Sequence, residues 1–324
     1  MKLLTTLCFI SGIVFVHLNV IAADRPCGNK VIDLKKFPGV KSEKDISRNQ
    51  DSVQWCESFC YADLFCYHYN KKSNWSIKDQ CSAADLRAKF APQNRTLNDV
   101  ARLGWLENLS KEEFTQGICP ESIFPSEYWN NQQISTSNLY AALEKASQKI
   151  KTEGRASVEG MCPECAAISP KTDWQNVMNH LEKASDGKDF LTSVNEVVCK
   201  DRRIGQGIKI KFNDEKIRKS KSMKYENEIL DQLDNGNPVS VGIESSFLSS
   251  KVKGGHAVLA IGTIEMLNSR GDKTCFVAIK NSWGNSCEYV TINRYTQCDS
   301  KTGLVYMDRD AFIGRTSNPE WIID

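Results

Sequence analysis

The chain has 324 residues, 40% of them hydrophobic and 25% charged, a globular composition with material for one large domain or two. Its 42 basic and 40 acidic residues leave a net charge of +2. These charges are spread evenly, without the basic stripe a nucleic-acid binder needs, and that class is set aside.

Lys2 and an apolar run from Leu3 to about Ala23, ending Val20-Ile21-Ala22-Ala23-Asp24, have the form of a secretory signal over residues 1–23. The run is nearly long enough to span a bilayer, but His17, Asn19 and the small residues at its end favour cleavage over anchoring. The expected mature chain, residues 24–324, is secreted or periplasmic, with no stable membrane association. Cysteine usage agrees. Of 13 Cys only Cys8 lies in the signal, and so many thiols in an oxidising compartment should mostly be bridged. If one is kept as a reactive thiol, eleven remain, so at least one more stays unpaired or bridges outside the chain.

The first half reads as helical. Residues 55–69 follow an aromatic-rich helical pattern. Leu97 to Phe114 carries apolar residues at Val100, Leu103, Leu106 and Leu109. Ser137 can cap a helix through Ile150, and Asp173 another over Trp174–Ala184. Beyond Arg203 the pattern changes to short strands: Ile208–Phe212, Pro238–Ile243, His256–Ile264, Thr274–Ile279 and Tyr289–Ile292, with one helix at Glu226–Leu233. A helical half followed by a β-rich half predicts an α+β fold of two lobes, about 40–200 and about 203–324, with a cleft between them.

The mature part keeps three histidines: His68, His180 and His256. With Cys56 as a nucleophile, His68 sits twelve residues down the same helix, about 18 Å away, too far to take a proton. His180 lies on an amphipathic helical pattern and reads as a half-exposed helical residue. His256 follows Gly254-Gly255 and opens a strand, so a rigid element aims it and the glycines leave room for a ligand backbone. Asn281 ends a strand 25 residues later. Its amide oxygen can accept an imidazole N–H and fix the tautomer, and Trp283 can shield that bond from water.

Gly255-His256-Ala257-Val258 and Lys280-Asn281-Ser282-Trp283-Gly284 resemble the His and Asn motifs of the papain-like cysteine peptidases. Pro238-Val-Ser-Val resembles the strand before the family's His loop. Gly117-Ile-Cys-Pro-Glu121 with Phe124-Pro125 resembles, less specifically, the segment after its cleft glycines. The resemblance implies a papain-like fold, with a helical lobe carrying Cys and a β-rich, barrel-like lobe carrying His and Asn. It implies a protein or peptide substrate and no metal or organic cofactor. Gly255 and Ala257 would line the substrate cleft beside His256, and Trp283 would support the ring. The family also places an oxyanion-hole Gln six residues before its Cys, and two pairs satisfy that spacing: Gln50 with Cys56, and Gln54 with Cys60. Tyr61-Ala62 after Cys60 suits the second. Trp55-Cys56, Ala62-Asp63-Leu64 and Asn49-Gln50 suit the first. So does physics: Cys56 begins the predicted helix, where the dipole favours a thiolate, whereas Cys60 is one turn inside. The reading adopted is Cys56, His256 and Asn281 as catalytic residues with Gln50 at the oxyanion, leaving Cys60 buried or bridged.

Several features depart from the family. Val53 stands where relatives usually have a Cys, so that bridge is absent. Glu57 follows the nucleophile, where its charge would raise the thiol pKa and blunt reactivity. Thirty-two residues separate Asp24 from Cys56, which leaves no room for a conventional propeptide. Residues of about 126–199 look like a helical insertion that could cover or shape the cleft. They contain Cys162-Pro-Glu-Cys165, expected to form structural disulfides, since no second pair or nearby His supports zinc. Cys287 and Cys298 flank the predicted strand at Tyr289–Arg294; if it ran straight they would stand too far apart to bridge. Asn74, Asn94 and Asn108 begin sequons. The expected function is a secreted peptidase. The alternatives are a papain-fold binding or inhibitory module, an acyltransferase using the same residues, and a disulfide-stapled structural protein.

Overall fold

A computed structural model describes residues 25–41, 48–50, 53–102, 104–109, 114–129, 134–154, 174–214, 223–284 and 286–323. The expected signal segment, Asp51, Ser52, Leu103, Asp173, Cys162 and Cys165 lie outside them.

Short polar side chains start four of the helices. Ser82 accepts from Asp85 N–H at the head of α2 (Ala83–Phe90), Ser135 from Asn138 N–H at α4 (Thr136–Glu153), Asp186 from Asp189 N–H at α6 (Gly187–Cys199), and Asp308 from Ala311 N–H at α8 (Arg309–Ile313). The long helix α1 (Cys56–Lys72) differs: Trp55 precedes it and no side chain caps it. The remaining helices are α3 (Leu97–Arg102), α5 (Trp174–Lys183) and α7 (Met223–Asp234). Neither α2 nor α6 is among the helices expected from the sequence. The helix expected to run from Leu97 to Phe114 stops at Arg102. Beyond it the backbone is held by side chains: Arg87 takes the Trp105 carbonyl and Glu57 takes the Leu106 N–H. Tertiary bonds have replaced helical ones there.

The main sheet is antiparallel. Its order is β10 (Thr316–Glu320), β5 (Val239–Glu244), β6 (Gly255–Leu267), β7 (Lys273–Lys280), β9 (Val305–Asp308) and β8 (Thr296–Cys298), with β1 (Lys30–Val31) also pairing β6. Two small ribbons join β2 (Tyr128–Trp129) to β3 (Ile134–Ser135) and β4 (Lys211–Phe212) to β11 (Ile322–Ile323). Of the strand expected at Ile208–Phe212, only Lys211–Phe212 is one; Ile210 instead bridges Phe114. In register, Ala257 faces Gly242, His256 faces Ile243, and Leu259 faces Lys280.

The side-chain period of two on β6 divides the core. Leu259 and Ile261 join a cluster built on Phe59, Leu64, Phe65, Leu86, Leu143 and Phe190, so α1 lies on that face. Val258 and Ala260 join a second cluster with Ile229, Leu233, Val277 and Phe312, so α7 lies on the other. The fold is thus a mixed one of helices and antiparallel sheet.

Four disulfides occur among the described residues: Cys27–Cys275, Cys66–Cys81, Cys119–Cys199 and Cys287–Cys298. The last corrects the sequence reading. Cys287–Tyr289 is a 3-10 turn and Asn293 bridges Thr296, so the chain folds back and the two Cα atoms stand 5.8 Å apart. No straight strand separates them. The three sequon residues Asn74, Asn94 and Asn108 are exposed at positive φ of 53°, 57° and 61°, a turn conformation Asn tolerates. No helix among the described residues is long and apolar enough to cross a membrane.

Candidate active site

Three chain segments meet at one end of the sheet, and a buried charge network holds them. Lys280, at the end of β7, pairs with Asp63 on α1. Arg48, itself 3% exposed, reaches Asp63 at 3.9 Å, Glu121 at 2.6 Å and Glu127 at 3.7 Å. Its guanidinium also stacks over Phe59, 4.5 Å from the ring centre. Buried ions persist only when paired in this way. From this anchor the 48–50 segment runs antiparallel to 282–284: Gly284 N–H donates to Arg48 O and Gln50 N–H to Ser282 O, each at 2.9 Å. Ser282 Oγ donates to Gln50 Oε1 at 2.7 Å. That bond fixes the Gln50 amide and leaves its NH2 group as a donor.

His256 is the second residue of β6 and is 6% exposed. Its Nε2 lies 2.7 Å from Asn281 Oδ1, which also accepts the Ser282 N–H. The Trp283 ring stacks on the imidazole, with centroids 4.5 Å apart and planes 24° apart. Burial pulls the imidazole pKa down to about 4, the Asn281 bond acting against it. At neutral pH the ring is therefore uncharged. With its proton on Nε2 for Asn281, Nδ1 carries the free lone pair.

Cys56 is the first residue of α1, where no side chain satisfies the N–H groups. Burial pushes its thiol pKa up; the Ala257 backbone N–H and those of Cys56 and Glu57 pull it down, while the Glu57 carboxylate raises it. Gly104 passes close by: a Cβ there would stand 3.0 Å from Gln54 O and 3.8 Å from Cys56 Sγ. Cys60 occupies a different setting. It is buried, its Sγ 3.2 Å from Ser240 Oγ, and burial drives its pKa far upward. Both are free thiols, and only Cys56 opens on the cleft.

That cleft, of about 790 Å³, is lined by Gln50, Cys56, Gly255, His256, Ala257 and Trp283, among others. Asn281, 5% exposed, lies behind His256. All seven residues expected at the site are thus brought together, and Gln54 also lines the cleft.

Sequence reasoning missed what stands under Cys56. Arg87 on α2 is fully buried. It donates to Val100 O at 2.9 Å and Trp105 O at 2.5 Å, and its Nη2 has no hydrogen-bond partner among the described residues. Burial lowers its pKa to about 10, with attraction to Glu57 opposing. Glu57 in turn accepts the Leu106 N–H at 2.6 Å. Burial raises its carboxyl to about 7, the Leu106 bond and Arg87 opposing. Near neutrality Glu57 is therefore charged only part of the time, and Arg87 offsets its charge, so its repulsion of a thiolate is milder than expected. No local pattern announces this pair, because its members are 30 residues apart. Among the described residues no group of His, Cys, Asp and Glu is arranged to hold a metal ion.

No protein-family model matches the sequence, and no curated protein does. Among solved structures the chain is similar to the SERA5 proenzyme of Plasmodium falciparum, at 14% identity and a TM-score of 0.41, over 86% of this chain and 61% of that one. It is also similar to two structures of SERA5E from the same organism. One is 12% identical with a TM-score of 0.35 over 90% and 94% of the two chains. The other is 16% identical with a TM-score of 0.35 over 81% and 82%. At these values the likeness settles neither activity nor mechanism.

Proposed function

We propose that this chain is a papain-like cysteine peptidase that cleaves peptide bonds through Cys56, His256 and Asn281. The observation that carries the reading is the 2.7 Å bond between His256 Nε2 and Asn281 beneath the Trp283 ring. It leaves Nδ1 as a base on the same cleft as an uncapped helix-terminal thiol. In the proposed reaction His256 Nδ1 takes the thiol proton as the sulfur bonds to the scissile carbonyl carbon. The carbonyl electron pair moves to oxygen, which the Gln50 amide and the Cys56 N–H receive. The tetrahedral species collapses, the C–N bond breaks, and the imidazolium protonates the departing amine. Water, deprotonated by His256, then displaces the thiolate from the thioester, and the returned proton restores the resting pair. Two hydrophobic clusters on opposite faces of β6 are in keeping with a two-lobed papain-like fold with the residues around 126–199 as an insertion. Four disulfides and the signal-like residues 1–23 support secretion or periplasmic export.

A second reading, a papain-fold binding module without turnover, draws on the resting state. The thiol is pushed up and the imidazole down, which favours a neutral pair over a thiolate–imidazolium one. Labelling with an epoxysuccinyl thiol-protease probe, followed by peptide mapping, separates the two. The peptidase reading expects modification at Cys56 that is lost in His256→Ala. Folded, reduced protein that resists the probe supports the binding module, and modification at Cys60 transfers the nucleophile to that position. Product analysis with a competing amine distinguishes hydrolysis from acyl transfer.

A further inference from the structure

Among the described residues, four large apolar side chains that stay exposed gather on two loops beside the cleft: Phe247, Tyr289, Tyr295 and, most of all, Ile292, which is 62% exposed. Hydrogen bonds lace the loops together. Thr291 N–H donates to Leu248 O and Ser250 N–H to Thr291 Oγ1, each at 2.7 Å. Lys251 Nζ donates to Glu288 O at 3.1 Å. The 3-10 turns Ser245–Phe247 and Cys287–Tyr289 and the Cys287–Cys298 disulfide hold both backbones. Val252 and Lys253, at the end of the first loop, line the cleft.

A cation lies over each ring. The Arg315 guanidinium carbon stands 4.3 Å from the Phe247 ring centre and 5.8 Å from that of Tyr295. Arg294 lies 4.3 Å from Tyr295, and Lys251 Nζ 5.8 Å from Tyr289. With Lys253 this makes four cations, against two exposed acids on the described parts of these loops, Glu244 and Glu288; the Glu244 carboxylate accepts the Gly254 N–H. Leu248 and Val290 turn inward to the core cluster around Phe312. The loops thus have an apolar root and a rim that is both apolar and basic. An exposed aliphatic side chain in such a rim gains nothing from a soluble anion. It gains at a surface that is anionic outside and hydrocarbon beneath, where aromatic rings favour the headgroup level and Lys and Arg meet negative charge.

We propose that this two-loop surface docks the folded protein reversibly onto anionic lipid membranes, with Phe247, Tyr289, Ile292 and Tyr295 entering the headgroup layer and Lys251, Arg294 and Arg315 facing lipid phosphates. The docking is peripheral and requires nothing of residues 1–23. Because Val252 and Lys253 belong to the cleft wall, it holds the cleft at the membrane face and directs it toward chains that lie there. The inference does not depend on the peptidase reading.

The test is co-sedimentation with vesicles of phosphatidylcholine alone and of phosphatidylcholine with about one-third phosphatidylglycerol, at about 0.1 M salt. Three proteins are compared: wild type, the double variant Lys251→Gln with Arg294→Gln, and Ile292→Ser. Wild type should prefer the anionic vesicles. At roughly fivefold per basic residue, the double variant should bind them about 30-fold more weakly. Ile292→Ser should weaken binding by about tenfold through lost apolar contact. The substituted side chains are exposed, so melting curves should match wild type. Equal retention on both kinds of vesicle, or variants that bind as tightly as wild type, overturns the inference. Loss in the double variant with Ile292→Ser unchanged also overturns it, since no side chain then enters lipid. A long sulfated polysaccharide is the rival ligand: if it binds and anionic vesicles do not, the surface is a polyanion site and the inference fails. None of these outcomes bears on cleavage in the cleft, which the labelling of Cys56 decides.

Discussion

The two arms of the site are built differently. The His256–Asn281 arm is carried by adjacent antiparallel strands, with His256 near the start of β6 and Asn281 just past the end of β7, where Leu259 pairs with Lys280. Its polar groups are matched: imidazole to amide, amide oxygen to Ser282 N–H, with the indole stacked on the imidazole. The Cys56 arm has no such frame. A helix without a cap ends at a sulfur, an acid sits beside it, and a buried Arg with one unmatched nitrogen lies beneath. The first arm is rigid by hydrogen bonding within neighbouring strands. The second depends on long-range electrostatics, and the two are expected to respond differently to substitution and to pH.

The largest effect is expected on the rigid arm. His256→Ala removes the imidazole base and should lower kcat/KM on any cleaved peptide by at least about 10⁴-fold. The fold should survive, because among the described residues the side chain hydrogen-bonds Asn281 and stacks on Trp283 near the start of a strand. A melting curve alongside the kinetics checks both.

Next comes the joint between the arms. Asp63 on α1 faces Lys280, which is 4% exposed and directly precedes Asn281. Asp63→Leu leaves that ammonium buried without its carboxylate and should cost about 3–5 kcal/mol of stability in urea unfolding, the usual penalty for stripping one partner from a buried pair. The double variant with Lys280→Met should recover much of that loss. If the single variant costs less than about 1 kcal/mol, the pair does not hold the arms together.

The difference between the arms also explains what could be read in advance. His256, Asn281 and Trp283 were legible because one strand register and a few contiguous residues determine their arrangement. The helix from Cys56 and the strands at Val239–Glu244 and Lys273–Lys280 were legible from periodicity for the same local reason. Arg87 and its effect on Glu57 were not, since their meaning arises only when residues 30 positions apart are brought together by the fold. The end of the helix at Arg102 and the Cys287–Cys298 bridge were misread because side chains, not propensity, set the backbone path there.

A third test sits on the choice of oxyanion donor. Gln50 is fixed by Ser282 Oγ and faces the cleft, whereas Gln54 is exposed and belongs to the register of the buried Cys60. Gln50→Ala should lower kcat by about 10²–10³-fold with little change in KM, the signature of a donor that acts on the transition state. Gln54→Ala should change kcat by less than about threefold, since it removes no transition-state donor. The reverse ranking would mean that the Cys arm is arranged in the other register.

The smallest expected effect probes the electrostatics of the Cys arm. Glu57 has a carboxyl raised to about 7, so its negative charge is present above that pH and lost below it. When present, that charge raises the Cys56 pKa. Glu57→Gln should therefore lower the thiol pKa only above about pH 7 and give about threefold more thiolate there. The rate of iodoacetamide alkylation at Cys56 should rise by about threefold at pH 8.5, and the ratio to wild type should fall to one by about pH 5.5. A ratio that stays constant across this range would show that Glu57 keeps one charge state throughout. A ratio below one at pH 8.5 would show that Glu57 holds the 104–106 segment, through Leu106, more than it repels the sulfur. The same titration bears on stability. Raised carboxyls bind protons in the folded chain that the unfolded chain has released, so Glu57, Glu127 at about 7 and Glu320 at about 8 make the fold more stable as the pH falls from 8.5 toward 6.5. Below 6.5 His256, held near 4, opposes them, because the unfolded imidazole takes up a proton that the buried one refuses. Glu57→Gln removes one of these carboxyl contributions from about pH 7.5 down to the ordinary carboxylate range, so it should flatten the first slope and leave the opposing effect of His256 less offset in the second.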